Sequence, residues 1–214
     1  MTPRSDRSRP WLRSFALAAL LGAAAPPVTF APMTPRFVSA SEEYRAMWEA
    51  EGDRIVAALE AATGTTFPPA PVEVIVSATP PMTAYDGRTI RLKANYSEPY
   101  RLATLIHEMG HRLALTLPRN SGLDDHRLLY LFLYDVWSDL YGRAFADRMV
   151  RIERRIPGGY DYAAAWDWAL AMTREQRQAR LRALLPRLHY QRLDLTAAPS
   201  ANGFKNGAAA SINR

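Results

Sequence analysis

Hydrophobic spacing divides the chain into a helical start, a short β-rich middle and a long helical remainder. Tyr44, Met47, Trp48, Ile55, Leu59 and Ala62 recur at helical intervals up to Gly64, which predicts an amphipathic helix over about 41–63. Ser39 with Glu42 three residues on has the form of a capping box at its start. Pro68, Pro69 and Pro71 end that pattern, and Val72-Glu-Val-Ile-Val-Ser77, rich in β-branched residues, reads as a buried strand. Asp86-Gly87 then separates Met82–Tyr85 from Arg88–Lys93, the signature of a hairpin with Ile90, Leu92 and Ala94 facing inward.

From Pro99 the period is helical again. Leu102, Leu105, Ile106, Met109 and Leu113 form an apolar stripe on a helix ending near Leu117, before Pro118 and the Asn120-Ser-Gly122 loop. Asp124 or Asp125 can cap the next helix. That helix is expected to run over 125–155, since neither Pro nor paired Gly interrupts it before Pro157-Gly158-Gly159. A packing helix over 160–172, carrying Trp166 and Trp168, precedes one over 174–185 that Thr173 and Gln176 open as a capping box. The many Arg of this last helix read as a solvated face. Residues 197–214 are small and polar with no apolar period, which predicts a disordered tail. Strand-like segments first and helices after predict an α+β domain over 41–196.

The chemistry lies on the 99–117 helix, in His107-Glu108-Met109-Gly110-His111. Residues four apart share a helix face, so both imidazoles can address one ion. Glu108 then stands at the edge of the site, able to take a proton from a water polarised by that ion. Gly110 costs about 1 kcal/mol of helix propensity and calls for a reason such as close backbone packing. A catalytic zinc takes three protein ligands, and Asp124, Asp125, His126, Asp135, Asp139, Asp147 and Glu153 are downstream candidates for the third. His126 and His189 read more simply as ordinary histidines, and Tyr130, Tyr134, Tyr141 and His126 are alternatives for steadying an oxyanion. Asp135 and Asp139 stand out, being four apart on a side otherwise occupied by Leu128, Phe132 and Val136. Two carboxylates there need a cation or histidine to compensate them.

Composition narrows the function classes. The chain has no cysteine, so disulfides and thiolate zinc sites are excluded and any metal must sit on nitrogen and oxygen. Of the net charge of +6, +4 falls within the first 40 residues, where Arg4, Arg7, Arg9, Arg13 and Arg36 oppose Asp6. A nucleic-acid-binding face is therefore not supported for the body. The same N-terminus, basic from Arg4 to Arg13 and then apolar from Phe15 to Ala25, reads as an export leader over 1–40, too short in its apolar part to span a bilayer. A periplasmic or secreted protein is expected.

The HEMGH helix followed by Asp135-Val-Trp-Ser-Asp139-Leu-Tyr-Gly142 resembles the gluzincin metallopeptidases, the second segment being similar to that of the thermolysin-like members. The resemblance covers roughly 72–145. It implies a zincin-like fold, a small mixed sheet whose rim strand (here Arg88–Lys93) packs on the motif helix, with a second, long acidic helix and a helical C-terminal part. It implies Zn2+ held by His107, His111 and Asp135, with Asp139 orienting His107 and Glu108 as general base. The activity implied is zinc-dependent hydrolysis of a peptide or protein substrate. A non-catalytic zinc-binding scaffold is the alternative, against which the free carboxylate of Glu108 argues. The family's ligand is Glu where this chain has Asp, one methylene shorter, and its large C-terminal helical domain has no counterpart here.

Overall fold

The computed structural model describes residues 24–117 and 122–185. The apolar leader core before residue 24 and the expected tail over 197–214 lie outside them.

The described chain opens on a strand, β1 (Val28–Pro32), and after a single 3-10 turn enters α1 (Val38–Thr63). β2 (Val72–Ser77), β3 (Met82–Thr83) and β4 (Thr89–Lys93) follow, then α2 (Glu98–Ala114). The sheet order is β1-β2-β4-β3, with β1, β2 and β4 parallel and β3 antiparallel to β4. The mixed sheet and helical remainder make an α+β fold, as expected.

The register of β1 on β2, Val28 opposite Val72 and Pro32 opposite Val76, corrects the expected boundary at residue 40. Phe30 is buried in the core, so the folded unit begins upstream of Val28. Ser39 lies inside α1, and its hydroxyl donates to Glu43 rather than capping the helix. With β1 in place, β1-α1-β2 is a parallel crossover, an alternation the sequence reading does not anticipate.

Alternation along the strands decides which face is covered. Val72, Val74 and Val76 of β2 and Ile90 and Leu92 of β4 are buried, while Glu73 is exposed and Arg91 and Lys93 are half-buried. Buried residues of α1 (Tyr44, Trp48, Ile55, Val56, Leu59) and of α2 (Leu105, Ile106, Met109, Leu113) complete one core with them. The Tyr44 hydroxyl donates to the Lys93 carbonyl at 3.0 Å, tying α1 to β4. The buried Arg112 guanidinium donates to the carbonyls of Pro68, Ala70 and Gly87, fastening α2 to the loops flanking the sheet.

The expected single helix over 125–155 is three helices: α3 (Asp125–Tyr130), α4 (Leu133–Tyr141) and α5 (Arg143–Glu153). The chain leaves helical geometry at Phe132 (φ −135°) and again at Gly142, where φ is +86°. A single glycine suffices for that second break, because it alone adopts positive φ without steric cost. α6 (Tyr162–Leu170) and α7 (Arg174–Arg182) close the described chain, α7 with its Thr173/Gln176 capping box in place. No helix among the described residues is long and apolar enough to cross a membrane.

Candidate metal centre

Every residue of α2 from Leu102 to Gly110 is buried, so its apolar stripe carries His107 and Glu108 inward with it. His107 and His111, one turn apart, bring their Nε2 atoms to 3.1 Å. Two nitrogens on a tetrahedral zinc, each at about 2.0–2.1 Å, stand about 3.3–3.4 Å apart, so the pair is close to ligating separation. The third member of the cluster is His126, from the first turn of α3. Its ring centroid lies 4.9 Å from that of His111 and 5.6 Å from that of His107. One ligating nitrogen of each of the three lies within 4.8 Å of the others, so the trio can hold a metal ion.

Gly110 explains how α3 approaches so closely. A Cβ built there would stand 2.6 Å from Leu129 Cδ1, so a larger residue would displace that buried side chain, and glycine lets α3 pack on α2 without the shift.

Glu153, the last residue of α5, supports the cluster from behind. It accepts from His107 Nδ1 at 2.8 Å, which directs Nε2 of that ring toward His111. Its other oxygen accepts from the Tyr130 hydroxyl and from Trp166 Nε1, each at 3.0 Å. Tyr130 and Trp166 are themselves stacked, with centroids 3.7 Å apart. A carboxylate only 2% exposed is thus fully partnered.

Protonation favours ligation at two of the rings. Burial, with the neighbouring imidazoles, holds His111 well below the usual histidine pKa and pushes His126 down to about 4, leaving both neutral with a lone pair free at neutral pH. Burial works against charge on His107 as well, but the Glu153 carboxylate outweighs it and shifts that ring upward. Burial also raises Glu108, against the opposing pull of His107 and the Thr83 hydrogen bond. Thr83 Oγ1, on β3, stands 2.7 Å from Glu108 Oε2.

All four groups, His107, Glu108, His111 and His126, face one cavity of about 980 Å³. Its lining includes residues from both ends of α2. Tyr96, Tyr100 and Thr104 line it beside the start of that helix, and Ala114, Leu115 and Leu117 beside its end, with Leu123 and Leu128 adjoining.

Asp135 and Asp139 are not brought to this cluster. Asp135 is buried, and its two oxygens accept from Arg177 at 2.6 and 3.3 Å. Asp139 accepts twice from Arg174 on an exposed side. The cation compensating these carboxylates is therefore arginine, supplied by α7, and the residues that stand beside His107 and His111 are instead His126 and Glu153. The sheet edge differs in part: β4 is covered by β3, so Met82 and Thr83 line the cavity, and of Arg88–Lys93 it is Lys93 that joins them. Among the tyrosines considered, Tyr130 donates to Glu153, Tyr134 to Asp147 and Tyr141 to Glu51, while Tyr85, Tyr96, Tyr100 and Tyr162 line the cavity. A signal for Glu153 exists in the sequence, since Ala146, Met149, Val150 and Glu153 fall on one helical face and place a carboxylate in an apolar stripe. His126 has no such signal, because its role depends on how α3 meets α2. No family model, curated protein or solved structure matches the chain.

Proposed function

We propose that the protein is a zinc-dependent peptidase of zincin-like build, with His107, His111 and His126 as ligands and Glu108 as general base. The observation that carries this reading is the convergence of three imidazoles, one oriented by a buried carboxylate, beside a further carboxylate on the wall of the same open cavity. Three imidazole nitrogens suit zinc and leave one position free for chemistry. A purely structural site would close that position and have no use for Glu108. Zinc held there supplies a Lewis acid that polarises a scissile carbonyl and makes water a nucleophile at neutral pH.

The residues of the chain divide the remaining work. Glu108 takes the proton of the attacking water and returns it to the leaving amine, and its raised pKa suits a group that must do both. Thr83, from the sheet edge, holds Oε2 of that carboxylate and so aims the other oxygen. Glu153 keeps His107 in one tautomer through Nδ1. The lining includes residues of α2 from Tyr100 to Ala114, which suits a substrate chain laid beside that helix. The basic and apolar leader favours action outside the cytoplasm.

Metal analysis and a peptide-library digest test this together. The parent should carry one zinc per chain and cleave peptides, and Glu108→Gln should lose about 10²- to 10⁴-fold in rate with zinc retained. Zinc without cleavage of any peptide would favour the scaffold alternative, and absence of zinc would remove both.

A further inference from the structure

We propose that the hydrogen bond from Tyr160 to Asp124 is a latch that positions His126 for metal binding. This rests on the three-histidine reading of the site. Two of the ligands need no such device, because His107 and His111 are fixed relative to one another by a single helix. His126 arrives separately, in the first turn of α3, a helix of six residues, so its place depends on where that helix starts.

Asp124 sets that start. Its Oδ1 accepts from the Arg127 backbone N–H at 2.8 Å, and its Oδ2 pairs with the Arg127 guanidinium at 2.7 Å. The same Oδ1 also accepts from the Tyr160 hydroxyl at 2.6 Å, across 36 residues of chain. Tyr160 belongs to the segment between α5 and α6, so this bond ties the helix bearing the third ligand to the stretch following Glu153, which holds the first.

The ring of Tyr160 acts directly on His126. It lies 4.5 Å from the imidazole, tilted by 33°, while Tyr162 meets that imidazole edge-on at 4.8 Å. The two tyrosines, 5.0 Å apart, form a corner around the ring. His107 is oriented by a carboxylate; among the described residues no carboxylate or carbonyl hydrogen-bonds the His126 ring, and this corner takes that part. Fixing the Tyr160 hydroxyl fixes the corner, and through it the direction of the third ligand. Tyr160 and Asp124 are thus positioning residues.

The test is zinc affinity of the full chain, measured by competition with a chromophoric chelator, together with the visible spectrum of the cobalt-substituted protein, which reports coordination. Tyr160→Phe keeps the ring and removes the hydrogen bond; it should weaken zinc about 10-fold and alter the cobalt bands. Asp124→Asn keeps an acceptor for both the Arg127 N–H and Tyr160, and should stay within about threefold of the parent. Asp124→Ala should lose at least as much as Tyr160→Phe, and adding Tyr160→Phe to it should cost nothing further, as expected for two ends of one bond. Thermal unfolding of the metal-free variants checks that these losses are not losses of fold. Parental zinc affinity and an unchanged cobalt spectrum in Tyr160→Phe, with zinc bound by the parent, would overturn the latch alone. A parent that binds no zinc would overturn the metal centre beneath it.

Discussion

At the scale of the residue, the environments of Asp135 and Glu153 separate two uses of a buried carboxylate. Each is nearly inaccessible, 4% and 2% exposed, and each is satisfied, but the first by a guanidinium and the second by an imidazole, a phenol and an indole. Removing one partner of a buried ion pair leaves the other charge uncompensated, at a cost of about 3–5 kcal/mol. Asp135→Ala is therefore expected to lower the urea midpoint strongly while zinc per folded chain stays at the parental value. Replacing Asp135 and Arg177 together by apolar residues of similar volume should recover much of the loss. Asp139→Ala breaks only an exposed pair with Arg174, worth about 0.2–1 kcal/mol, and should be almost silent in both measurements. Loss of zinc in Asp135→Ala at unchanged stability would return that carboxylate to the ligand role.

At the scale of the element, the breaks in the 125–155 segment create the site. A continuous helix there would carry Glu153 in one straight run from His126, about 40 Å away at 1.5 Å per residue. The kinks at Phe132 and Gly142 fold α5 back so that Glu153 reaches His107. Gly142 has open space around a built Cβ, so its substitution is resisted by backbone geometry alone. Holding a non-glycine residue at positive φ costs about 1–3 kcal/mol. Gly142→Ala should lower the unfolding midpoint accordingly and weaken zinc through the displaced Glu153; Gly142→Asn should do no better, because at ψ 158° the position lies outside the left-handed helical region that asparagine tolerates. Equal zinc affinity in all three proteins would show that the α4–α5 junction does not set the position of Glu153.

At the scale of the whole molecule, β1 and the metal centre each tie distant segments together. A protein beginning at Ser41 lacks Phe30 and exposes the edge of β2. Losing a core phenylalanine alone costs about 3–5 kcal/mol, so its melting point should fall by about 10 °C or more against a protein beginning at Ala24. If the leader is removed on export, a cut upstream of Val28 is the one that keeps β1, and N-terminal sequencing of exported material should find that strand intact. A start beyond Pro32 would contradict this. The three-histidine site joins α2 to α3, so zinc at 100 times its dissociation constant should add about 2.7 kcal/mol. Chelation should accordingly lower the melting point by about 5–10 °C, and a melting curve indifferent to chelator would speak against tight occupancy.

What could be read from the sequence was what neighbours along the chain decide. The i, i+4 spacing of His107 and His111 with Glu108 between them, the Val72–Ser77 strand, the Asp86-Gly87 turn and the Thr173/Gln176 cap are all local, set by backbone period and by side chains reaching three or four residues. The need of Gly110 for close packing was legible too, though not what it packs against. Tertiary structure alone decided the rest. Whether a carboxylate meets a metal or an arginine is settled by which distant element is folded against it, and α7 brings Arg177 to Asp135. Likewise β1 is short, preceded by Pro27 and ended by Pro32, with little periodic signal of its own, and exists because β2 offers it an edge. The third histidine is a surface-like residue by sequence, and becomes part of the cluster because Gly110 lets Leu129, and with it α3, settle against α2.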